Sequence, residues 1–260
     1  MKALLEMVNV GMRLGGVQAL ASVSFAAREG RITSIIGPNG AGKTTAINCI
    51  SGVYHPQEGE VNFRGRPVLG LASHRLAKLG LARTFQNLQV FAEMSVLENV
   101  MLGMHAVTRM DFLAAILRLP GFLGQERGMR RQAREMLERV GLAEQWRTPA
   151  GDLAYGDQKR VEIARALVGQ PRLVLLDEPA AGLNPRETEE MERLILDIRR
   201  QGSSVILVEH DMNLVMELSD WVVVLHYGTK IAEGEPARVQ ADSQVIEAYL
   251  GGQAREWPGA

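Results

Sequence analysis

The pattern of apolar and polar positions changes character twice along the chain. Strand-length apolar segments at residues 4–10, 20–25 and 31–36 are separated by Gly15-Gly16 and Glu29-Gly30, which are turn residues. A glycine-rich stretch, 37–42, follows, and 43–51 reads as a helix ended by Gly52. The turn at 55–59 leads to a short strand at 60–63, and 73–79 is a predicted helix with Ser73 as its N-cap. From 87 to 150 apolar residues recur at helical spacing, at 96–105, 112–119 and 132–140, with Pro120-Gly121 breaking the run. This stretch is expected to be an all-helical insert, and several of the 12 methionines fall in it as core fillers.

The later half alternates strand and helix as a parallel sheet does. Residues 173–176 form a continuous apolar strand, expected to be buried on both faces. Asn184 as cap, Pro185 at the first helical position and Glu187 at the third start a helix that runs to about 200 and stops at Gly202. Strands at 204–208 and 221–225 flank a helix near 212–218. Tyr227-Gly228 turns into a strand at 230–233, and a short acidic helix, 243–250, precedes a flexible tail at 251–260.

Composition narrows the function classes. The 260 residues, 46% of them apolar, suffice for one large α/β domain with a smaller inserted subdomain. A formal net charge of -1 argues against a general nucleic-acid binder. Cys49 is the only cysteine, which excludes an intrachain disulfide and points to a reducing compartment. It is expected to be buried. No apolar run approaches the roughly 20 residues that span a bilayer, and residues 1–10, with Glu6 and Asn9, lack a signal-peptide core. Any membrane role is therefore expected to come through a partner.

Gly37-Pro38-Asn39-Gly40-Ala41-Gly42-Lys43-Thr44 matches the P-loop pattern at every fixed position, after a strand and opening a helix. Glycines let successive backbone N–H groups curl toward one point, and the helix start adds roughly half a positive charge. Lys43 adds a full charge for the β- and γ-phosphates of ATP. The Thr44 hydroxyl can ligate Mg²⁺, and Thr45 is placed for the α-phosphate region. The strand at 173–176 delivers Asp177 and Glu178 to its carboxyl end, where α/β sheets place their ligands. Asp177 suits the Mg²⁺ shell, and Glu178 the activation of a water.

What narrows the field is Leu153-Ala154-Tyr155-Gly156-Asp157-Gln158, directly followed by an amphipathic helix. This resembles the signature motif of the ABC ATPase family. Gln86, after Arg83-Thr84-Phe85, looks like the Q-loop glutamine, Ala181-Gly182-Leu183-Asn184 like the D-loop, and His210 like the switch histidine. The resemblance covers about residues 4–250. It implies an α/β P-loop NTPase core with a mixed sheet, an N-terminal antiparallel β subdomain and an inserted α-helical subdomain. The core would be 1–86 and 151–250, and the insert, 87–150, would contact membrane subunits.

The resemblance also implies a mechanism. Two such domains close head to tail on ATP, each nucleotide lying between one Lys43 loop and the facing signature turn of Ala154, Tyr155, Gly156 and Gln158. Gln86 would touch Mg²⁺, and His210 the γ-phosphate. Ala154 stands where serine is common and Tyr155 where glycine is, and Asn184 replaces the usual D-loop aspartate. All three resemble branched-chain amino acid importers, as do 83–91, the insert length and 245–251, which favour the larger of their two ATPase subunits. Implied partners are transmembrane permease subunits, a second ATPase subunit and, indirectly, a periplasmic solute-binding protein. The implied place is the cytoplasmic face of the membrane. An exporter ATPase of the lipopolysaccharide type and a soluble non-transport ABC ATPase are the alternatives. Leu14 is the residue best aligned with the adenine-stacking aromatic; leucine offers no π face, so weaker, less base-selective binding is expected.

Overall fold

In a computed structural model, residues 2–84, 88–105 and 120–250 are described, the side chains of 120–123 and 250 excepted. The two long N-terminal strands β1 (Ala3–Leu14) and β2 (Val17–Arg28) extend beyond their predicted apolar centres. Gly15 and Gly16, at φ 53 and 86, close them into a two-residue hairpin that pairs Leu14 with Val17. Positive φ at both turn residues suits the right-handed twist of the flanking strands. With β4 (Glu58–Phe63) and β5 (Arg66–Pro67) they form an antiparallel sheet in the order β2-β1-β4-β5.

The second sheet runs β10-β9-β3-β8-β7-β6, where β3 is Ile32–Ile36, β6 Leu81–Arg83, β7 Leu173–Asp177, β8 Ser204–Val208, β9 Trp221–His226 and β10 Thr229–Gly234. It is parallel from β9 to β6, and β10 joins antiparallel, which makes it mixed as expected. Every residue of β3, β7 and β8 is buried. Each such Val, Leu or Ile contributes about 1.5–3 kcal/mol by leaving water, so the sheet is a rigid base for the loops at its carboxyl end.

The helices are α1 (Lys43–Ile50), α2 (Ser73–Leu79), α3 (Val96–Leu102), α4 (Pro120–Arg139), α5 (Tyr155–Leu167), α6 (Pro185–Arg200), α7 (Met212–Leu218), α8 (Pro236–Gln240) and α9 (Ser243–Leu250). One apolar cluster joins the antiparallel sheet to α1 and one face of the mixed sheet. A second joins α3, α4, α5 and α6 to the other face.

Two local expectations are corrected. Ser73 is the first residue inside α2 rather than its cap; Ala72 caps, and the Ser73 hydroxyl donates to the carbonyl of Ser51. Helix α4 already includes Pro120 and Gly121, well ahead of the expected helical start at 132. The predicted helix at 112–119 and the tail at 251–260 lie outside the described residues.

Candidate active site

The P-loop folds as its glycines require. Gly37, at φ 148, lies so close to β9 that an added Cβ would stand 2.0 Å from the Leu225 carbonyl oxygen. Gly42, at φ 103, would meet the Ala19 carbonyl at 2.6 Å. That contact sets the β1–β2 hairpin beside the loop. Gly42 also caps α1 without a side chain, leaving the first-turn N–H groups to an external acceptor. Lys43 is 5% exposed, and its Nζ donates to the carbonyls of Gly37 at 2.6 Å and Pro38 at 3.1 Å. The ammonium is thus held over the concave side of the loop. Thr44 and Thr45 follow, half-buried, and Asn39 and Gly40 are exposed at the loop tip.

Strand β7 brings Asp177 to the same end of the sheet. Its side chain is fully buried, and Oδ2 meets Arg83 Nη2 at 3.3 Å. Arg83 is anchored in turn by Asn48 Oδ1 at 2.6 Å and Ser51 Oγ at 2.8 Å, both belonging to the α1 region. Burial pushes the Asp177 carboxyl above its ordinary value, against the pull of Arg83 and Lys43. Oδ1 is buried with no hydrogen-bond partner. A buried carboxylate oxygen left without a donor is costly, and a cation would satisfy it. A magnesium ion at Asp177 would fit that oxygen, with the Thr44 hydroxyl the expected further ligand. Gln86, the third expected metal contact, lies outside the described residues.

Glu178 departs from the strand at φ 52, in the left-handed region. This turns its side chain toward the loop after β8, where Oε1 lies 2.7 Å from His210 Nε2. The two side chains thus share a hydrogen bond. Glu209, next to His210, is buried; its oxygens accept from the N–H groups of Ala180 at 2.8 Å and His210 at 3.2 Å. Burial raises its carboxyl above the ordinary value. Glu178 and His210, 32 residues apart in sequence, thus stand as one pair.

The signature turn occupies a separate surface. Ala154 caps α5 without a side-chain hydrogen bond, so this helix too presents uncapped N–H groups. Helices α3, α6 and α7 carry side-chain caps at Ser95, Asn184 and Asp211, whereas the short α2 and α8 lack one. Ala154 and Tyr155 are exposed and Gly156 is buried against Glu187. Gln158, expected to line the nucleotide, donates its Nε2 to the carbonyls of Leu153 at 2.9 Å and Gly151 at 3.3 Å, bracing the turn. Leu14 and its strand partner Val17 form an exposed apolar pair at the hairpin end, 37% and 69% accessible.

Residues 20–181 match the family model for the ABC transporter, and 229–255 match one for the branched-chain amino acid ATP-binding cassette transporter. The chain belongs to the ABC transporter ATP-binding family. It is 43% identical over 251 residues to the high-affinity branched-chain amino acid transport ATP-binding protein BraF of Pseudomonas aeruginosa, covering 96% of this chain and 98% of that one. With the corresponding LivG protein of Escherichia coli the identity is 42% over 249 residues, 95% and 98% covered. A solved ATP-binding cassette of an ABC transporter in its ADP conformation superposes with a TM-score of 0.84 at 33% identity, over 96% of this chain and 100% of the other. A dimeric post-hydrolysis cassette bound to ADP and Pi gives 0.75 at 28% identity, over 89% and 98%. The expected fold and family are those found, and the chain is an ATPase subunit.

Three residues of the site escape the motif reading. Arg83 emerges as the ionic partner of Asp177, Lys159 as a donor to the Glu178 carbonyl, and Glu209 as the brace behind His210. Arg83 and Glu209 each flank a motif residue. For Lys159 a charged residue on the buried face of an amphipathic helix was the available signal.

Proposed function

We propose that this chain energises an importer of branched-chain amino acids or related small polar solutes by hydrolysing ATP at the composite site described above. Lys43, the N–H groups of 39–42, Thr44 and Thr45 hold the triphosphate. Glu178 accepts a proton from water as its oxygen attacks the γ-phosphorus and the bond to the β-phosphate oxygen breaks; ADP and inorganic phosphate leave. His210 holds Glu178 in register and faces the γ-phosphate. Asp177, Thr44 and Gln86 would hold Mg²⁺, which neutralises charge developing on the phosphate oxygens. The uncapped α5 start, at Ala154, Tyr155 and Gly156, receives the γ-phosphate held by a facing ATPase subunit, so ATP closes the dimer and hydrolysis opens it.

Among the described residues no helix is long and apolar enough to cross a membrane. Attachment to the cytoplasmic face therefore runs through permease subunits, fed by a periplasmic solute-binding protein. A groove of about 710 Å³ between α2, β6 and α3, lined by Val53, Leu76, Leu81, Val90, Phe91 and Leu102 among others, offers those subunits an apolar seat. Residues 88–91, 102 and 103 supply one wall of it, and Arg83, the ionic partner of Asp177, lines it too. Nucleic acid has no part in this cycle.

The observation that carries the solute assignment is the match of 229–255 to the branched-chain model on a chain in which Glu178 and His210 stand 2.7 Å apart. The test is uptake of labelled leucine by cells lacking the chain. Restoration by the wild type but not by Glu178→Gln supports the reading. Undiminished uptake in the deletion, with co-purification of an exporter's membrane subunits instead, refutes it.

A further inference from the structure

Lys159 lies in the second turn of α5, yet it is only 5% exposed. Buried ammonium groups are rare without a dedicated partner. Its Nζ donates to the main-chain carbonyl of Glu178 at 2.8 Å and lies 5.5 Å from the centre of the Tyr155 ring. The negative charge of the buried Glu209 stands close enough to interact with it. The Glu178 peptide is the one that needs holding: φ 52 places a residue with a Cβ in a conformation that costs on the order of 1–3 kcal/mol. Its N–H is pinned by the Val208 carbonyl at 2.8 Å and its carboxylate by His210. From α5 the contact comes through Lys159. Tyr155, one turn earlier, rests against Gly182 of the D-loop, where an added Cβ would meet its ring at 3.1 Å.

We infer that Lys159 is a positioning residue: it holds the strained Glu178 peptide so that the carboxylate faces the γ-phosphate. In doing so it ties that carboxylate to the α5 turn that receives the facing subunit's nucleotide. The inference rests on Glu178 as proton acceptor and on the α5 start as the second phosphate site. It adds a direct mechanical link inside one subunit, from the nucleotide it borrows to the nucleotide it cleaves. A displacement of the α5 turn by a fraction of an ångström moves Lys159 Nζ and with it the Glu178 carbonyl.

The test is steady-state ATP turnover and equilibrium ATP binding by the full-length chain in the assembly in which the wild type hydrolyses ATP. Lys159→Met, which keeps the stem and removes the donor, is expected to lower kcat about 10- to 100-fold while KM and ATP affinity stay within about threefold. Lys159→Arg, which can still donate to the carbonyl, recovers most of the loss. Turnover of Lys159→Met within about twofold of wild type overturns the inference. So does a parallel loss of kcat and ATP affinity that Lys159→Arg does not repair, because that is the behaviour of a fold defect. Should Lys159→Met not fold, Lys159→Leu, which likewise lacks a donor, is read by the same criteria. Glu178→Gln, run alongside, separates the two readings. Near-wild-type turnover in it removes the proton-acceptor role and this inference together. An inactive Glu178→Gln beside an unimpaired Lys159→Met removes the positioning role alone.

Discussion

Two helix N-termini in this molecule are proposed to receive phosphate, and they are built to different degrees. The α1 start is complete within one chain: glycines at positive φ curl the loop, and a buried lysine stands over it. The α5 start has an uncapped turn and an alanine where a hydroxyl would serve, with an exposed tyrosine and no cation of its own aimed outward. Its one lysine points inward, to Glu178. A helix dipole alone is worth roughly 0.3–1 kcal/mol toward an anion at an exposed site, far too little to capture ATP from solution. On the proposed cycle the first site binds and the second recognises nucleotide already held. That asymmetry is what would make ATP act between subunits rather than within one.

The comparison breaks most sharply at the charges. Lys43→Ala is expected to abolish detectable ATP binding. Glu178→Gln should leave binding intact and lower turnover by about 10²-fold or more, with ATP-dependent dimers becoming long-lived. Isothermal titration and size-exclusion chromatography with ATP check both. Near-wild-type turnover in Glu178→Gln would remove Glu178 from its role.

Next come the glycines. A Cβ at Gly37 meets a backbone carbonyl at 2.0 Å, and its φ of 148 is one that side chains disfavour, so Gly37→Ala should lower stability by roughly 3 kcal/mol or more. At Gly156 the Cβ meets only the Glu187 side chain, at 2.8 Å, which can shift at the expense of its capping bond to the Asn184 N–H. Gly156→Ala should therefore fold with only a small loss of Tm and bind ATP normally. It should turn ATP over about tenfold more slowly, because the facing phosphate no longer reaches the turn. Thermal melts and turnover of the pair decide this; equal loss of Tm in both would erase the distinction.

Much of this was legible in the residues. The P-loop, the Asp177–Glu178 strand end and the α6 capping box of Asn184 with Glu187 each depend on local spacing, which a sequence displays directly. The reach of β1 and β2 beyond their apolar centres was not, because Gly11, several alanines and the interspersed Arg13, Gln18 and Arg28 blur the strand alternation there; pairing in the hairpin extends them. Nor was the short β6, since three residues at a sheet edge are held by β7 rather than by their own propensity. Ser73 shows a cap residue outcompeted by a tertiary partner, the Ser51 carbonyl. In the site, the contacts that were missed all join positions far apart in the chain: Arg83 with Asp177, Lys159 with Glu178 and Glu209 with Ala180.

Smaller effects sharpen the picture of the binding site. Leu14→Phe should tighten ATP binding about three- to tenfold, since an aromatic ring adds roughly 0.5–1.5 kcal/mol of stacking; no gain in titration would place the adenine elsewhere. Glu209 gives the weakest test. Its carboxyl is raised above 4.5 in the folded chain, so the folded state binds the proton more tightly than the unfolded one. Its contribution is favourable below the ordinary value and is lost as pH rises toward the folded value. The Tm of the wild type relative to Glu209→Gln should therefore fall as pH is raised from about 4 toward neutrality; a flat or rising difference would contradict the burial effect.

The most direct measurement is the structure of the Glu178→Gln chain with ATP and magnesium in the assembly it forms. The backbone N–H of Gly156 should lie within hydrogen-bonding distance of the γ-phosphate seated on the facing subunit's Lys43 loop. Nucleotide bound at the Lys43 loop with Gly156 turned to solvent, in every copy, would contradict the account.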